Sequence, residues 1–390
     1  MKKIKIGVIG LGNRGVKFAK NIILENENFS LHSVCDYDKK DFDFFINKGI
    51  KTYIDYNELL SDSELEAVMI CTPENTHLEI LEKSIKKNLH IICEKPLEIS
   101  KDKTVEMSKL CNGYNKTILV GYVLRYAPLY IKAKELVEKG AIGDVILCNA
   151  VDNVVYGGYA FFRDWHRHKK NINSLILQKS SHSLDIINWV INDTPKKIAT
   201  FGSLEVYGSK GRGKWVDVDT DEFHCRTCPY EKECFDSNYN IKEIKGINWN
   251  DNWHDRCVFS KDIDIDDNHT IMIEYEKGSK VVFSSSQFSP FYRRSYEFIG
   301  TRGSLYFDDK ENIIKINYKD KKEEENILVD VGNLVHSGGD INLLDDFYES
   351  ITANKKPVAD FDSCFISSML CFKSIESQEK GNIVFFKEEV

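Results

Sequence analysis

Residues 4 to 15 read I-K-I-G-V-I-G-L-G-N-R-G, a short apolar strand running straight into G-x-G-x-x-G. No other feature constrains the fold as much. Gly10 permits the tight turn out of the strand, Gly12 lets the backbone approach a pyrophosphate, and Gly15 lets the following helix pack closely on the sheet. Asn13 and Arg14 complete that turn, and the helix N-terminus offers unpaired N–H groups and a positive dipole end to phosphates. The sequence predicts a helix from Val16 to Leu24 and a second strand from Leu31 to Cys35. That strand ends at Asp36, 21 residues after Gly15, where the fingerprint places an acid that accepts the adenosine ribose hydroxyls. The alternative is a tight strand–helix turn with no ligand. A carboxylate at position 36 repels a 2'-phosphate, and the next residue is Tyr37, not Arg. The expected cofactor is therefore NAD, with NADP less favoured.

A chain of 390 residues exceeds one ordinary core and predicts two domains. The net charge of -8 argues against a general nucleic-acid binder. No apolar run approaches the ~20 residues of a membrane helix. Met1-Lys2-Lys3 leads at once into a Gly-interrupted strand and so lacks the apolar stretch of a signal peptide. The expectation is a cytoplasmic protein with no nucleic-acid or membrane partner.

Strands and helices alternate onward. Ala67–Cys71 is a strand ending at Thr72-Pro73, a helix spans His77 to Lys87, and His90–Cys93 is a strand ending at Glu94-Lys95-Pro96. A helix from Lys101 to Cys111 leads to the strand Thr117–Gly121. This alternation means a parallel sheet with helices on both faces. Ligands of such sheets bind beyond the carboxyl ends of the strands, where all these loops gather. Glu94-Lys95-Pro96 is similar to the E-K-P signature of the glucose-fructose oxidoreductase / inositol dehydrogenase (Gfo/Idh/MocA) family. Thr72, Pro73, Asn75 and His77 resemble its T-P-x-x-x-H turn. Gly121 to Pro128 resembles its G-x-x-x-R-x-x-P junction, which includes Arg125, a candidate substrate contact. Phe298–Leu305 and His336-Ser337-Gly338-Gly339-Asp340 match further on. The resemblance covers nearly the whole chain. It implies an α/β fold: an N-terminal Rossmann domain with a doubly wound parallel sheet (1–122), then a C-terminal α+β domain (123–390) with a large, mostly antiparallel open sheet. It also implies that the second domain serves substrate binding and homo-oligomer formation, that Glu94 and Pro96 contact the cofactor side, and that Lys95 binds and orients the substrate.

Lys95 also has a reading of its own. A lysine at the sheet edge beside a nicotinamide is desolvated, lowered in pKa, and able to polarise a hydroxyl or carbonyl. The alternative is a surface lysine capping the loop. Further on, His182 and Asp185 sit three apart on a predicted helix. The family carries D-x-x-x-H-x-x-D here, with the His as general base and an Asp assisting it. This chain has Gln178 where that first acid belongs, followed by Lys179. A second lysine near Lys95 makes the pocket more cationic and suits a sugar acid, or it stands in for the missing acid. The alternatives are a capping or core histidine at His182 and a helix anchor at Asp185. Upstream, residues 156 to 168 interleave aromatic rings with Arg and His. Aromatic faces and charged forks suit sugar C–H surfaces and hydroxyls. This nominates Tyr156, Arg163, Trp165, His166 and Arg167 as substrate contacts, against a solvated basic loop.

The chain has eleven cysteines. Most sit in apolar segments as small core residues. Cys225, Cys228, Cys234 and Cys257 instead fall in a polar insertion at about 207–267. C-x-x-C with two further thiols is the arrangement of a four-thiolate site. Structural zinc is read first, free or redox-active thiols second and disulfides third. An iron–sulfur cluster also takes four thiolates. His224 and His254 are spare ligands.

The whole predicts an NAD-dependent oxidoreductase moving a hydride between the nicotinamide and a sugar, sugar acid or cyclic polyol. One rival is a redox-neutral glycosidase or lyase that works by transient oxidation and elimination. Another is a non-enzymatic NAD-binding sensor or subunit.

Overall fold

A computed structural model describes residues 3–211, 224–237, 239–240, 255–331 and 338–388. Six strands, β1 (Ile4–Ile9), β2 (Phe29–Cys35), β3 (Lys51–Tyr53), β4 (Ala67–Ile70), β5 (His90–Cys93) and β6 (Ile118–Val120), form one sheet. Its order is β3-β2-β1-β4-β5-β6, and every pairing is parallel. The strand order reverses between β1 and β4, so a crevice opens at their carboxyl ends. Helices α1 (Asn13–Phe18), α2 (His77–Lys86) and α3 (Lys101–Cys111) follow β1, β4 and β5. The predicted helix after Gly15 begins earlier, at Asn13, and its second half, Ala19–Ile23, is a π-helical turn.

Helix α4 (Pro128–Glu138) opens the second half. Nine strands follow: β7 (Val145–Asn153), β8 (Pro195–Ser203), β9 (Asn268–Tyr275), β10 (Lys280–Ser286), β11 (Arg293–Gly300), β12 (Gly303–Asp308), β13 (Ile313–Tyr318), β14 (Glu325–Leu328) and β15 (Val384–Phe385). Their order is β14-β13-β12-β11-β7-β10-β9-β8-β15. Only β7 and β10 pair in parallel, with Ala150 opposite Phe283. The predicted hairpin is β9–β10, with Phe283 opposite Ile271.

Strand alternation gives this sheet two faces. Ile271, Ile273, Val281 and Phe283 point inward, onto α5 (Ser181–Ile191) and the later helix α7 (Phe361–Lys380). Leu147, Phe201, Met272 and Val282 are exposed on the other face. Helix α6 (Gly339–Ala353) returns to the first half, where Leu343, Leu344 and Phe347 complete the core. The Phe29 and Phe347 rings stack at 5.9 Å. Helix α7 joins both cores: Phe361 and Cys364 belong to the first, Met369, Cys371 and Ile375 to the second. Its Asp360 cap accepts the N–H groups of Asp362 and Ser363.

Candidate active site

The carboxyl ends of the first sheet open into a cleft of about 800 Å³, whose far wall comes from the second half of the chain. Gly10 sits at φ +91°, and a Cβ there would lie 2.6 Å from the Cys71 carbonyl oxygen. At Gly15 a Cβ would fall 1.8 Å from the Gly10 oxygen. Both positions therefore exclude any side chain. At Gly12 a Cβ would meet nothing, and its backbone stands open to the cleft. Asp36 at the end of β2 lines the same cleft. Its Oδ2 accepts the Leu11 N–H at 2.5 Å and its Oδ1 the Asp38 N–H at 2.8 Å, which fixes the carboxylate.

Asn13, Arg14, Thr72, Pro73 and Glu94 line the cleft as well. Arg14 bridges three elements. Its Nε donates to Glu94 Oε1 and its Nη1 to Asp340 Oδ1, both at 2.7 Å. Asp340 was part of a family motif in the sequence but carried no role there. The structure uses it to dock α6 onto the dinucleotide turn, and His336 and Ser337 of that motif lie outside the described residues. His77 ties two strand ends together, with Nδ1 3.1 Å from the Pro96 and Leu97 carbonyls and Nε2 3.0 Å from the Thr72 carbonyl. Asn75 is exposed, and neither it nor Pro96 lines the cleft.

Lys95 projects from the end of β5 into the cleft. Its Nζ donates to the Gln178 carbonyl at 2.9 Å. Desolvation lowers its pKa to about 8, with Glu94 and Glu74 pulling upward and Lys179 and Arg14 pulling downward. Residues Ile176–Ser180 form a π-helical turn that runs into α5. Such turns recur at functional sites; this one presents Gln178 to the cleft, and the first turn of α5 presents His182. The Gln178 side chain donates to Glu74 Oε1 at 2.9 Å. Glu74 lines the cleft and is a residue the sequence reading missed. It returns a carboxylate to the neighbourhood of Lys95, where the helix carries Gln instead of the family's acid. The signal was present in the T-P-E-N-T-H turn, but only the fold reveals what that turn faces.

Several expectations are corrected. Asp185 turns away from the cleft. Its carboxylate binds Arg125 through two contacts, at 2.9 and 2.6 Å, and accepts the Ser367 hydroxyl at 2.7 Å. Arg125 spends its remaining donors on the Val358 carbonyl and Ser363. Both residues are 1% exposed and neither lines the cleft, so the pair anchors α5 to α7. Arg163 and Arg167 are also buried: Arg163 donates to Cys225 Sγ and Arg167 pairs with Asp262. Lys179 is buried too, its Nζ donating to the Tyr156 hydroxyl at 2.7 Å, and neither residue lines the cleft. Trp165 and His166 do line it. The four insertion cysteines meet around a separate small cavity with His224, while His254 lies outside the described residues.

Residues 4–122 match the family model described as an oxidoreductase family with an NAD-binding Rossmann fold, and residues 130–306 match the GFO/IDH/MocA C-terminal domain. The chain belongs to the Gfo/Idh/MocA family of oxidoreductases. It is 23% identical over 339 residues to YteT of Bacillus subtilis, described as an oxidoreductase, covering 79% of this chain and 76% of YteT. It is 28% identical over 210 residues to inositol 2-dehydrogenase of Rubrobacter xylanophilus, covering 52% of this chain and only 56% of that enzyme. Among solved structures, levoglucosan dehydrogenase in complex with NADH and levoglucosan superposes with a TM-score of 0.78 at 15% identity. That superposition covers 99% of this chain and 100% of the other, and at this identity it speaks to fold alone. No helix among the described residues is long and apolar enough to cross a membrane.

Proposed function

We propose that the chain is an NAD-dependent dehydrogenase acting on a hydroxyl of a sugar, sugar acid or cyclic polyol. One observation carries this reading. A lysine with its pKa lowered to about 8 stands in the dinucleotide cleft opposite a helix that also presents His182. The residues present fit the cofactor. The open backbone at Gly12 suits a pyrophosphate, and the fixed Asp36 carboxylate suits unphosphorylated ribose hydroxyls. When bound, the nicotinamide accepts or donates the hydride. The chain's own residues handle the proton and the geometry. Lys95 and His182 together hold the substrate oxygen and handle the hydroxyl proton. The Tyr122 ring meets the His182 ring edge-on at 6.1 Å and limits its orientation. Trp165 offers a flat face to sugar C–H groups. Relatives named as inositol dehydrogenases support the polyol substrate class.

The test is to incubate the protein with NAD and with polyols, sugars and sugar acids in turn, following NADH. Turnover that vanishes in Lys95→Ala while NAD still binds supports the reading. Glycoside cleavage with tightly held NAD and no net NADH would replace it with the redox-neutral alternative. The expected homo-oligomer has a surface on which to form, the exposed face carrying Leu147, Phe201, Met272 and Val282. A monomer by light scattering would overturn that part.

A further inference from the structure

Arg163 was expected to meet substrate, yet its guanidinium is buried in the second half of the chain, against thiols. Cys225, Cys228, Cys234 and Cys257 line one cavity of about 30 Å³ together with Arg163. Each sulfur accepts a hydrogen bond. Arg163 Nη1 donates to Cys225 Sγ at 2.9 Å. The backbone N–H groups of Tyr230, Asp236 and Phe259 donate to Cys228, Cys234 and Cys257, the last at 3.5 Å. Three of these four donors lie two residues after the cysteine they serve. Burial pushes the Cys228, Cys234 and Cys257 thiols up, whereas a bound cation deprotonates a coordinating thiol, and these donors would then serve metal-bound thiolates. None of the four is in a disulfide. Four cysteines facing one cavity, each with a donor already in place at its sulfur, are the donor set of a tetrathiolate centre.

We propose that Cys225, Cys228, Cys234 and Cys257 form a tetrathiolate metal centre. The centre also acts through Arg163. That side chain donates to the Arg256 and Asp236 carbonyls as well as to Cys225. The next three residues in sequence, Asp164, Trp165 and His166, line the dinucleotide cleft. The centre therefore anchors the stretch of chain that walls the cleft.

Two metals share this ligand chemistry. A tetrahedral zinc site with Zn–S of about 2.3 Å brings its sulfurs to about 3.8 Å from one another. Among the described residues, the only trio of His, Cys, Asp or Glu ligand atoms within 4.8 Å of one another is His32, Asp62 and Glu64. No three of the four sulfurs are therefore that close. Zinc requires the loops to draw in, whereas a four-iron, four-sulfide core also takes four thiolates and holds them further apart.

The experiment is to express the full chain with iron and zinc supplied, purify it without oxygen, and measure zinc, iron and acid-labile sulfide per chain. The expected result is either one zinc on a colourless protein or a brown protein with matched iron and sulfide at cluster stoichiometry. The two outcomes identify the metal, and both uphold the centre. Neither metal near stoichiometry, with four thiols free or paired as disulfides on mass analysis, overturns it. In Cys228→Ser combined with Cys234→Ser, most of the metal should be lost and the melting temperature should fall. Cys111→Ser, outside the cluster, should keep its metal. Full metal retention in the double variant would overturn the ligand assignment.

Discussion

The first sheet's edge and the stretch from Tyr156 to His168 both border the same cleft, yet the sheet edge turns its charged residues into it whereas the stretch turns Arg163 and Arg167 away. Lys95, Asp36 and Glu94 sit at or just after the ends of β5 and β2, and all line the cleft. A parallel strand leaves its side chains little choice of direction at its carboxyl end. Arg163 lies between short helical turns and Arg167 ends one, Trp165–Arg167, where direction is set by distant partners. Those partners are Cys225 and Asp262, 62 and 95 residues further along. Arginine is well suited to such buried pairing, because its fork stays charged and meets planar acceptors. A basic residue at a strand end therefore points to chemistry, whereas one in an aromatic loop serves as readily to hold the loop together.

The largest expected effect breaks or confirms the sheet-edge side of this contrast. Lys95→Ala should lower kcat about 10³-fold, in keeping with the usual ~10²–10⁴-fold worth of a positioned proton-handling group. Affinity for NAD should change little. Calorimetric titration of NAD alongside steady-state kinetics separates the two, and an unchanged kcat would remove Lys95 from the chemistry.

Next comes the pair that the sequence assigned to substrate and catalysis. Arg125→Ala leaves Asp185 as a buried, unpaired carboxylate and should cost about 3–5 kcal/mol of stability. Urea unfolding measures this. Arg125→Met with Asp185→Leu should recover most of the loss, because no buried charge then remains. If Arg125→Ala unfolds at the wild-type midpoint but binds substrate poorly, Arg125 is a substrate residue after all.

A smaller effect concerns the cofactor. Asp36→Ser with Tyr37→Arg removes the carboxylate and adds a cation beside the ribose. Preference for NAD over NADP should fall about 10–100-fold, the worth of a hydrogen bond to a charged group at ~1.5–3 kcal/mol. The ratio of kcat/KM with the two cofactors reads it out. A ratio that does not move would detach Asp36 from the ribose.

The strand–turn–helix periods, the dinucleotide turn and the E-K-P strand end were legible because each is a local pattern whose geometry follows from neighbours in sequence. Helix α3, Lys101–Cys111, falls where its apolar spacing places it. Three things were not legible. Asp185 shares a helix with His182, but α5 rotates the carboxylate toward Arg125 and Ser367, partners that lie 60 and 182 residues away. The π-helical turn at Ile176–Ser180 shifts the phase of the helix by a residue that no apolar spacing announces. Asp340 meets Arg14 across 326 residues, a contact made only after α6 folds back onto the first core. Long-range pairs of charges leave no period in the sequence.

Glu74 gives the smallest and most discriminating prediction. The protein environment disfavours the ammonium form of Lys95, and Glu74 and Glu94 partly restore it. In the oxidation direction the hydroxyl proton must leave, so kcat/KM should rise with pH as Lys95 loses its proton, with an apparent pKa of about 8. Glu74→Gln removes a carboxylate that favours the protonated amine, and the limb should move to lower pH. Lys179→Met removes a neighbouring cation, and the limb should move to higher pH. Opposite shifts in these two variants are expected if Lys95 sets the limb, and persistence of the limb in His182→Asn would place Lys95 at its origin. A limb that stays put in both would assign it to His182, leaving Lys95 as a hydrogen-bond donor whose protonation is constant across the working range.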